Sequence, residues 1–370
     1  MSVAAEAQPV RIAQPFTNSR PVSISARTTE ALIIAPQWIG DAVMTQPLLR
    51  RLHARGERLT VGALPWVAPV YRAMPEVAEV IEFPFAHGGL QWQGRRTMAR
   101  ALRGRFDVAY VCPNSLKSAL IPWWAGIAVR VGYLGESRYL LLNQRLANPP
   151  RGERPPMVQF YAALSETSGG SKPDATLPPP QLQVQPAQRD ADLLQLGLQP
   201  QSYCVFAPGA EYGPAKRWPA RHFAELARQI KMPVVLLGSS KDREICAEIS
   251  TLAGASAVCI DLSGRTRLEQ ALSVISAAHA MVSNDSGLMH VAAAFGIPQV
   301  ALFGSSSPLH TPPLNSRAAV LWLKNDATYQ PPLDCAPCFE RTCPLGHTRC
   351  LADISTEQVL ARIAPIPVPA

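Results

Sequence analysis

Met281-Val-Ser-Asn-Asp-Ser-Gly-Leu-Met-His-Val-Ala-Ala-Ala-Phe-Gly-Ile-Pro-Gln-Val-Ala-Leu-Phe-Gly304 reads as a strand end, a polar turn, a short helix, a glycine stop and a second strand. Asn284, Asp285 and Ser286 are residue types that cap a helix, here one beginning near Gly287. Gly296 and Pro298 end it, and Gln299 to Phe303 is apolar enough for a buried strand. At the carboxyl end of a parallel strand, a helix start offers unpaired N–H groups and a partial positive charge, which suits phosphate. Such turns also occur with no ligand, so the reading rests on two further stretches expected to face the same cleft.

The first is Ala31-Leu-Ile-Ile-Ala-Pro36, a buried-strand run that breaks into Gln37-Trp-Ile-Gly-Asp-Ala-Val43. The helix that follows has Val43, Met44, Leu48, Leu49 and Leu52 on its apolar side, with Pro47 marking a kink or a start. Leu59 to Leu64, Val77 to Phe83 and Val108 to Cys112 are further strands between helical segments. The second stretch is Tyr203 to Ala207, a strand that enters Pro208-Gly-Ala-Glu-Tyr-Gly-Pro-Ala-Lys-Arg-Trp-Pro219. Pro219 suits the first turn of a helix carrying Phe223, Leu226, Ala227 and Ile230. Strands at Pro233 to Leu237, Val258 to Leu262 and Val320 to Leu323 alternate with helices at Lys241 to Leu252, Leu268 to Ala280 and Ser355 to Ile363. Repeated β–α alternation predicts α/β architecture with doubly wound sheets. From Asn148 to Pro186, proline pairs and Ser-Gly-Gly-Ser bracket a helical piece at Val158 to Glu166, a linker composition with few core residues. The expected divisions are a disordered tail at 1–29, one domain with linker at 30–185, and a second at 186–370.

The chain's 370 residues, 47% of them hydrophobic, can fill two cores. Residues 1–29 lack the apolar stretch of a secretory signal, and no run reaches membrane-spanning length, which predicts a cytoplasmic protein with reduced cysteines. Lys and Arg number 35 against 27 Asp and Glu, with a dense run at Arg95, Arg96, Arg100, Arg103 and Arg105. Phosphorylated small molecules, anionic lipid and nucleic acid all suit that charge, and so does a plain solvated helix face. Neither Gly-x-Gly-x-x-Gly after the first strand nor a Walker-type phosphate loop is present, which removes the usual supports for hydride transfer and P-loop chemistry. Two α/β halves with polar glycine turns suit a cleft enzyme.

Each candidate residue has a plainer alternative. Asp41, after Gly40 at a strand-to-helix turn, is either a helix cap or a general base. Lys216, with Gly209 and Gly213 upstream allowing close backbone approach to a ligand, is either a surface lysine or a cation for a diphosphate. His290 is either a core histidine or a neighbour of phosphate, and Trp218 an anchor by packing. Cys335, Cys338, Cys343 and Cys350, with His347 in the last gap, read either as a structural zinc knuckle or as a reduced or redox-active loop.

Taken together, the 37–43, 208–219, 283–290 and 338–350 stretches resemble the ADP-heptose:lipopolysaccharide heptosyltransferases, over roughly residues 30 to 365. The resemblance implies a GT-B fold: two Rossmann-like doubly wound domains facing across a cleft, with the donor held mainly by the C-terminal one. It implies that Asp41 is the catalytic base and that Lys216 contacts the donor diphosphate. Asp285, Ser286, Gly287 and Leu288 would form the phosphate turn, with Gly40 and His290 lining the site. Asp242 or Glu244 would hold the donor ribose. The implied reaction moves heptose from ADP-heptose to the heptosyl-Kdo-lipid A core of lipopolysaccharide. It needs no cofactor, the chain being read as free of an acidic Asp-x-Asp motif, which fits transfer without a metal. The alternatives are a heptosyltransferase with another acceptor, or a nucleotide-sugar-binding protein without turnover. The expected partners are donor, lipid-linked acceptor and the inner face of the inner membrane, met peripherally with the arginine run toward core phosphate or lipid, and not nucleic acid.

Overall fold

The computed structural model describes residues 28–85, 89–150, 153–168 and 177–363, so all but the last two positions of the 1–29 tail lie outside the described residues. The first half runs β1 (Glu30–Ile34), α1 (Ile39–Met44), α2 (Gln46–Ala54), β2 (Arg58–Ala63), α3 (Ala68–Arg72), β3 (Val77–Glu82), α4 (Trp92–Ala101), β4 (Val108–Val111), α5 (Leu116–Trp124), β5 (Val129–Tyr133) and β6 (Gln144–Leu146). Next come α6 (Met157–Ala162) and α7 (Pro186–Gln195). The second half runs β7 (Cys204–Ala207), α8 (Ala220–Gln229), β8 (Val234–Leu236), α9 (Arg243–Ala253), β9 (Cys259–Asp261), α10 (Leu268–Ser276), β10 (Ala280–Asn284), α11 (Gly287–Ala294), β11 (Gln299–Leu302), β12 (Ala318–Leu321), α12 (Arg349–Ala352) and α13 (Thr356–Leu360).

The strands form two parallel six-stranded sheets, ordered β3-β2-β1-β4-β5-β6 and β12-β11-β10-β7-β8-β9. Counted within its own half, each sheet has the same order. β1 lies between β2 and β4, with Ile33 opposite Val61 and Tyr110. β10 lies between β7 and β11, with Val282 opposite Phe206 and Val300. Helices on both faces explain why these central strands are apolar runs rather than alternating ones. Strand order reverses between β1 and β4 and between β7 and β10, which is where a doubly wound sheet opens a crevice at its carboxyl ends.

The observed strands fall on the predicted ones with ends shifted by a residue or two, while β5, β6, α7 and α12 were not anticipated. The single helix expected after β1 is two, α1 and α2, parted at Thr45, with Pro47 in the first turn of α2. Pro219 sits one place before α8, as its N-cap residue. The proline-bracketed stretch was read as poor in core residues, and the structure corrects this. Val158, Phe160, Tyr161, Ala162 and Leu164 are buried, Phe160 stacks on Tyr133 with centroids 3.9 Å apart, and Tyr133 donates a 2.7 Å hydrogen bond to the Phe160 carbonyl. Burying side chains of this size contributes about 2 kcal/mol each, so the segment is held to the first half by its core. Farther on, Gln181–Gln183 bonds to both halves, accepting from Gln46 at 2.6 Å and donating to the carbonyls of Ala73 and Ala294.

Candidate active site

The first turns of α1 and α11 approach each other across the two halves. A Cβ on Gly40 would lie 2.8 Å from the His290 ring, and one on Gly287 would lie 2.8 Å from Ile39. Gly40 and Gly287 therefore serve contact between the halves, a role the sequence did not assign them. Gly209 and Gly213 were expected to admit a ligand. Instead Gly209 backs onto the Asp242 carboxylate and Gly213 onto the Arg341 carbonyl.

Asp41 lies in the first turn of α1, where the helix end favours negative charge. Its Oδ1 accepts a 2.9 Å hydrogen bond from the Tyr161 hydroxyl on α6. Burial pushes the Asp41 carboxyl up, the Tyr161 bond pulls it down, Asp285 pushes it up again and Lys216 pulls it down, leaving it at about 6. Burial, followed by the neighbouring Asp41 charge, drives the Tyr161 hydroxyl well above its ordinary value, so it remains a donor. Sequence reading missed Tyr161. Its signal was the helical spacing of Val158, Phe160 and Leu164 around it.

Lys216 ends the short 3₁₀ turn Pro214–Lys216. Its Nζ sits 2.5 Å from Asp285 Oδ2, with the two side chains only 18% and 7% exposed. Thr311, a second residue the sequence did not flag, donates to Asp285 Oδ1 at 3.5 Å. None of the three expected cap residues caps α11. Asn284 belongs to β10 and ties the neighbouring loop in place, accepting from the Trp218 N–H at 3.0 Å and donating to the Pro208 carbonyl at 2.7 Å. Asp285 is taken by Lys216, and Ser286 occupies the cap position with a buried hydroxyl that has no hydrogen-bond partner among the described residues. Gly287 and Leu288 follow Ser286 as the first residues of α11, where a helix start has N–H groups without an intrahelical acceptor. His290 is buried under Gly40, and burial lowers it to about 4 despite the charge of Asp285, so it is neutral. Trp218 is an anchor as expected, fully buried and donating to the Ile354 carbonyl at 2.9 Å.

Asp242 and Glu244 separate. Asp242 stands at the ends of β7 and β8, between Gly209 and Gly238, with Oδ2 accepting from the Ser239 N–H and hydroxyl at 2.9 and 2.8 Å. Glu244 is exposed on the first turn of α9. An Asp-x-Asp spacing does occur, at Asp190 and Asp192, but on α7. There Asp192 accepts from Ser273 at 2.6 Å and Asp190 pairs with Arg189, so both serve packing and surface contacts.

Cys335, Cys338, Cys343, His347 and Cys350 line one pocket with Ala215 and Ser305. Partial burial raises the Cys343 thiol, but backbone N–H groups of Thr348, Leu345, Gly346 and His347 outweigh it and leave the thiol below its ordinary value. The cysteines are free. As placed, no group of three or more His, Cys, Asp or Glu side chains among the described residues is arranged to hold a metal ion, and no step below passes through one. The loop nevertheless braces the Lys216 turn. The Ala215 N–H donates to the Arg341 carbonyl at 3.1 Å, Tyr212 donates to the Phe339 carbonyl at 2.9 Å, and the Arg341 guanidinium lies 4.9 Å from the Tyr212 ring centre.

Residues 95–349 match the model of glycosyltransferase family 9 (heptosyltransferase). The chain is 45% identical over 306 residues to lipopolysaccharide heptosyltransferase 2 of Escherichia coli K12, covering 79% of this chain and 87% of that one. It is 40% identical over 308 residues to lipooligosaccharide heptosyltransferase 2 of Haemophilus influenzae, covering 79% and 88%. The solved E. coli ADP-heptose LPS heptosyltransferase II superimposes with a TM-score of 0.77 at 40% identity, over 90% of this chain and 97% of that one. Sheet order, the two facing helix starts and these matches lead to one conclusion: the chain belongs to glycosyltransferase family 9, the heptosyltransferases, and has their GT-B fold.

Proposed function

We infer that the protein is a heptosyltransferase II, an inverting enzyme that moves L-glycero-D-manno-heptose from ADP-heptose to heptosyl-Kdo-lipid A. One observation carries the mechanism: the α1 turn of the first half, which bears Asp41, packs on the α11 turn of the second, beside which Asp285 holds Lys216 at 2.5 Å. The acceptor hydroxyl attacks the anomeric carbon as the bond to the diphosphate oxygen breaks and ADP departs. The acceptor proton passes to Asp41, whose raised affinity for protons makes it a stronger base than an exposed aspartate. Tyr161 holds Oδ1, which leaves Oδ2 for that proton.

Negative charge grows on the leaving diphosphate. Lys216, the N–H groups at the start of α11 and the Ser286 hydroxyl stabilise it, with no cofactor. Asp285 keeps the lysine extended before the donor arrives, and Asp242 is the better placed of the two ribose candidates, at the carboxyl ends of β7 and β8. The substrates are the donor and a lipid-linked acceptor. No helix among the described residues is long and apolar enough to cross a membrane, which accords with peripheral work at the inner face of the inner membrane.

The test is incubation with ADP-heptose and either Kdo-lipid A or heptosyl-Kdo-lipid A, followed by product mass. One added heptose on the second acceptor alone is expected. Addition to the heptose-free acceptor would reassign the protein to another member of the family, and no addition to either would leave a sugar-nucleotide-binding protein.

A further inference from the structure

The arginine run does not act as one surface. Arg95 is buried, donates to the Leu90 carbonyl at 2.7 Å and lies over the Phe85 ring, while Arg105 pairs with Glu79. Arg96, Arg100 and Arg103 remain exposed. Beside them is an apolar group that the transfer mechanism does not use. Trp92 on α4 meets Trp124 on α5 edge-on at 4.5 Å, Trp123 lies next to Trp124, and the Arg96 guanidinium is 5.9 Å from the Trp124 ring. Leu116, at the start of α5, donates its N–H to Glu136 at 2.7 Å, which brings in the turn carrying Tyr139 and Leu140. Trp92 is 47% exposed, Trp123 44% and Leu140 86%.

A soluble surface rarely gathers such side chains without a partner. Over 84–140 the sequence has two acids, Asp107 and Glu136, against Arg95, Arg96, Arg100, Arg103, Arg105, Lys117, Arg130 and Arg138, and both acids accept backbone N–H groups, Asp107 from Glu30 and Glu136 from Leu116. Tryptophan and tyrosine beside arginine are the side chains that settle at a lipid headgroup boundary, rings toward the acyl chains and guanidinium groups toward phosphate. We propose that the face formed by Trp92, Trp123, Tyr139 and Leu140 with Arg96, Arg100 and Arg103 docks the protein on a bilayer of anionic phospholipid. The proposal rests on the lipid-linked acceptor assigned above and names the surface that meets its membrane.

Sedimentation of the full chain with vesicles tests it. Wild type should bind phosphatidylglycerol–phosphatidylethanolamine vesicles, lose that binding as salt rises, and bind phosphatidylcholine vesicles far more weakly. R96Q/R100Q/R103Q should weaken anionic-vesicle binding about fivefold per arginine, roughly a hundredfold in all, and W92S/W123S/L140S should abolish it. Both variants should keep wild-type KM for a lipid-free heptosyl-Kdo acceptor. Binding that ignores lipid charge, or that survives both variants, overturns the proposal. So does a raised KM for the lipid-free acceptor with vesicle binding intact, which would give the arginines to the acceptor saccharide and its carboxylate. Loss of self-association in place of vesicle binding would make the face a contact between copies. Vesicle binding is read without turnover, so it stands or falls apart from the acceptor assignment.

Discussion

The starts of α1 and α11 are the same local device used twice. Each follows a central parallel strand at the point where its sheet reverses order, and each has an aspartate beside a glycine, Asp41 after Gly40 and Asp285 two places before Gly287. Their surroundings differ. Asp285 is ion-paired with Lys216 at 2.5 Å, whereas the Asp41 carboxylate is bonded, among the described residues, to a tyrosine hydroxyl, and burial drives it to about 6. A paired carboxylate orients a cation, and an uncompensated one accepts a proton. The same turn thus places two aspartates in different electrostatic surroundings, and the difference comes from the groups packed around each turn.

Removing either charge should break the comparison most completely. Asp41→Asn is expected to lower kcat by about a thousandfold with ADP affinity unchanged, read by turnover and calorimetry. Lys216→Ala should lose about a hundredfold or more in kcat/KM. Because that change leaves Asp285 buried without its cation, it should also cost about 3 kcal/mol of stability, seen in urea titration.

Asp41 should also govern the response to pH. With Asp41 at about 6, kcat/KM should fall tenfold per pH unit below that value and level off above it. The stability effect has the opposite sense. Asp41 binds its proton more tightly folded than at its ordinary 3.8, so its contribution is fully present below about 3.8 and is lost as pH rises through about 6. Asp41→Asn should therefore be more stable than wild type at pH 8, by about 3 kcal/mol, with the difference gone near pH 3.5. A melting series across pH reads this directly.

Tyr161→Phe sharpens the same point on a smaller scale. Without the bond that lowers the Asp41 carboxyl, the acid limb of kcat/KM should move to higher pH, costing about tenfold at pH 6 and little at pH 9. A drop uniform across pH would assign Tyr161 to packing alone. The smallest effect is expected from Gly40→Ala, whose new methyl must displace the His290 ring. About 1 to 2 kcal/mol of stability should be lost, with KM for the donor raised as the halves part.

Much of the fold could be read from apolar runs with glycine and proline between them, because central parallel strands bury both faces and leave nothing else to read. The edge strand β6, Gln144–Leu146, has no apolar face to announce it and went unseen. Asp41, Lys216 and Asp285 were visible because each lies in a glycine turn at a strand end. Tyr161 was not, because what matters about it is a contact 120 residues away in sequence. Gly209 and Gly213 were read as room for a ligand, and the structure gives that room to the Asp242 carboxylate and the Arg341 carbonyl, while the approach of Gly40 to His290 and of Gly287 to Ile39 went unread. Sequence spacing indicates that close approach is needed without naming what approaches. For the same reason the four cysteines could be seen to gather, while the brace they give the Lys216 turn through Phe339 and Arg341 could not.

The most direct test of the account compares wild type with Asp41→Asn on ADP-heptose and heptosyl-Kdo-lipid A at pH 8, reading product mass and ADP affinity together. The account predicts one heptose added by wild type, almost none by the variant, and equal ADP affinity. A variant that transfers heptose at the wild-type rate, or that loses ADP binding in step with turnover, would contradict it.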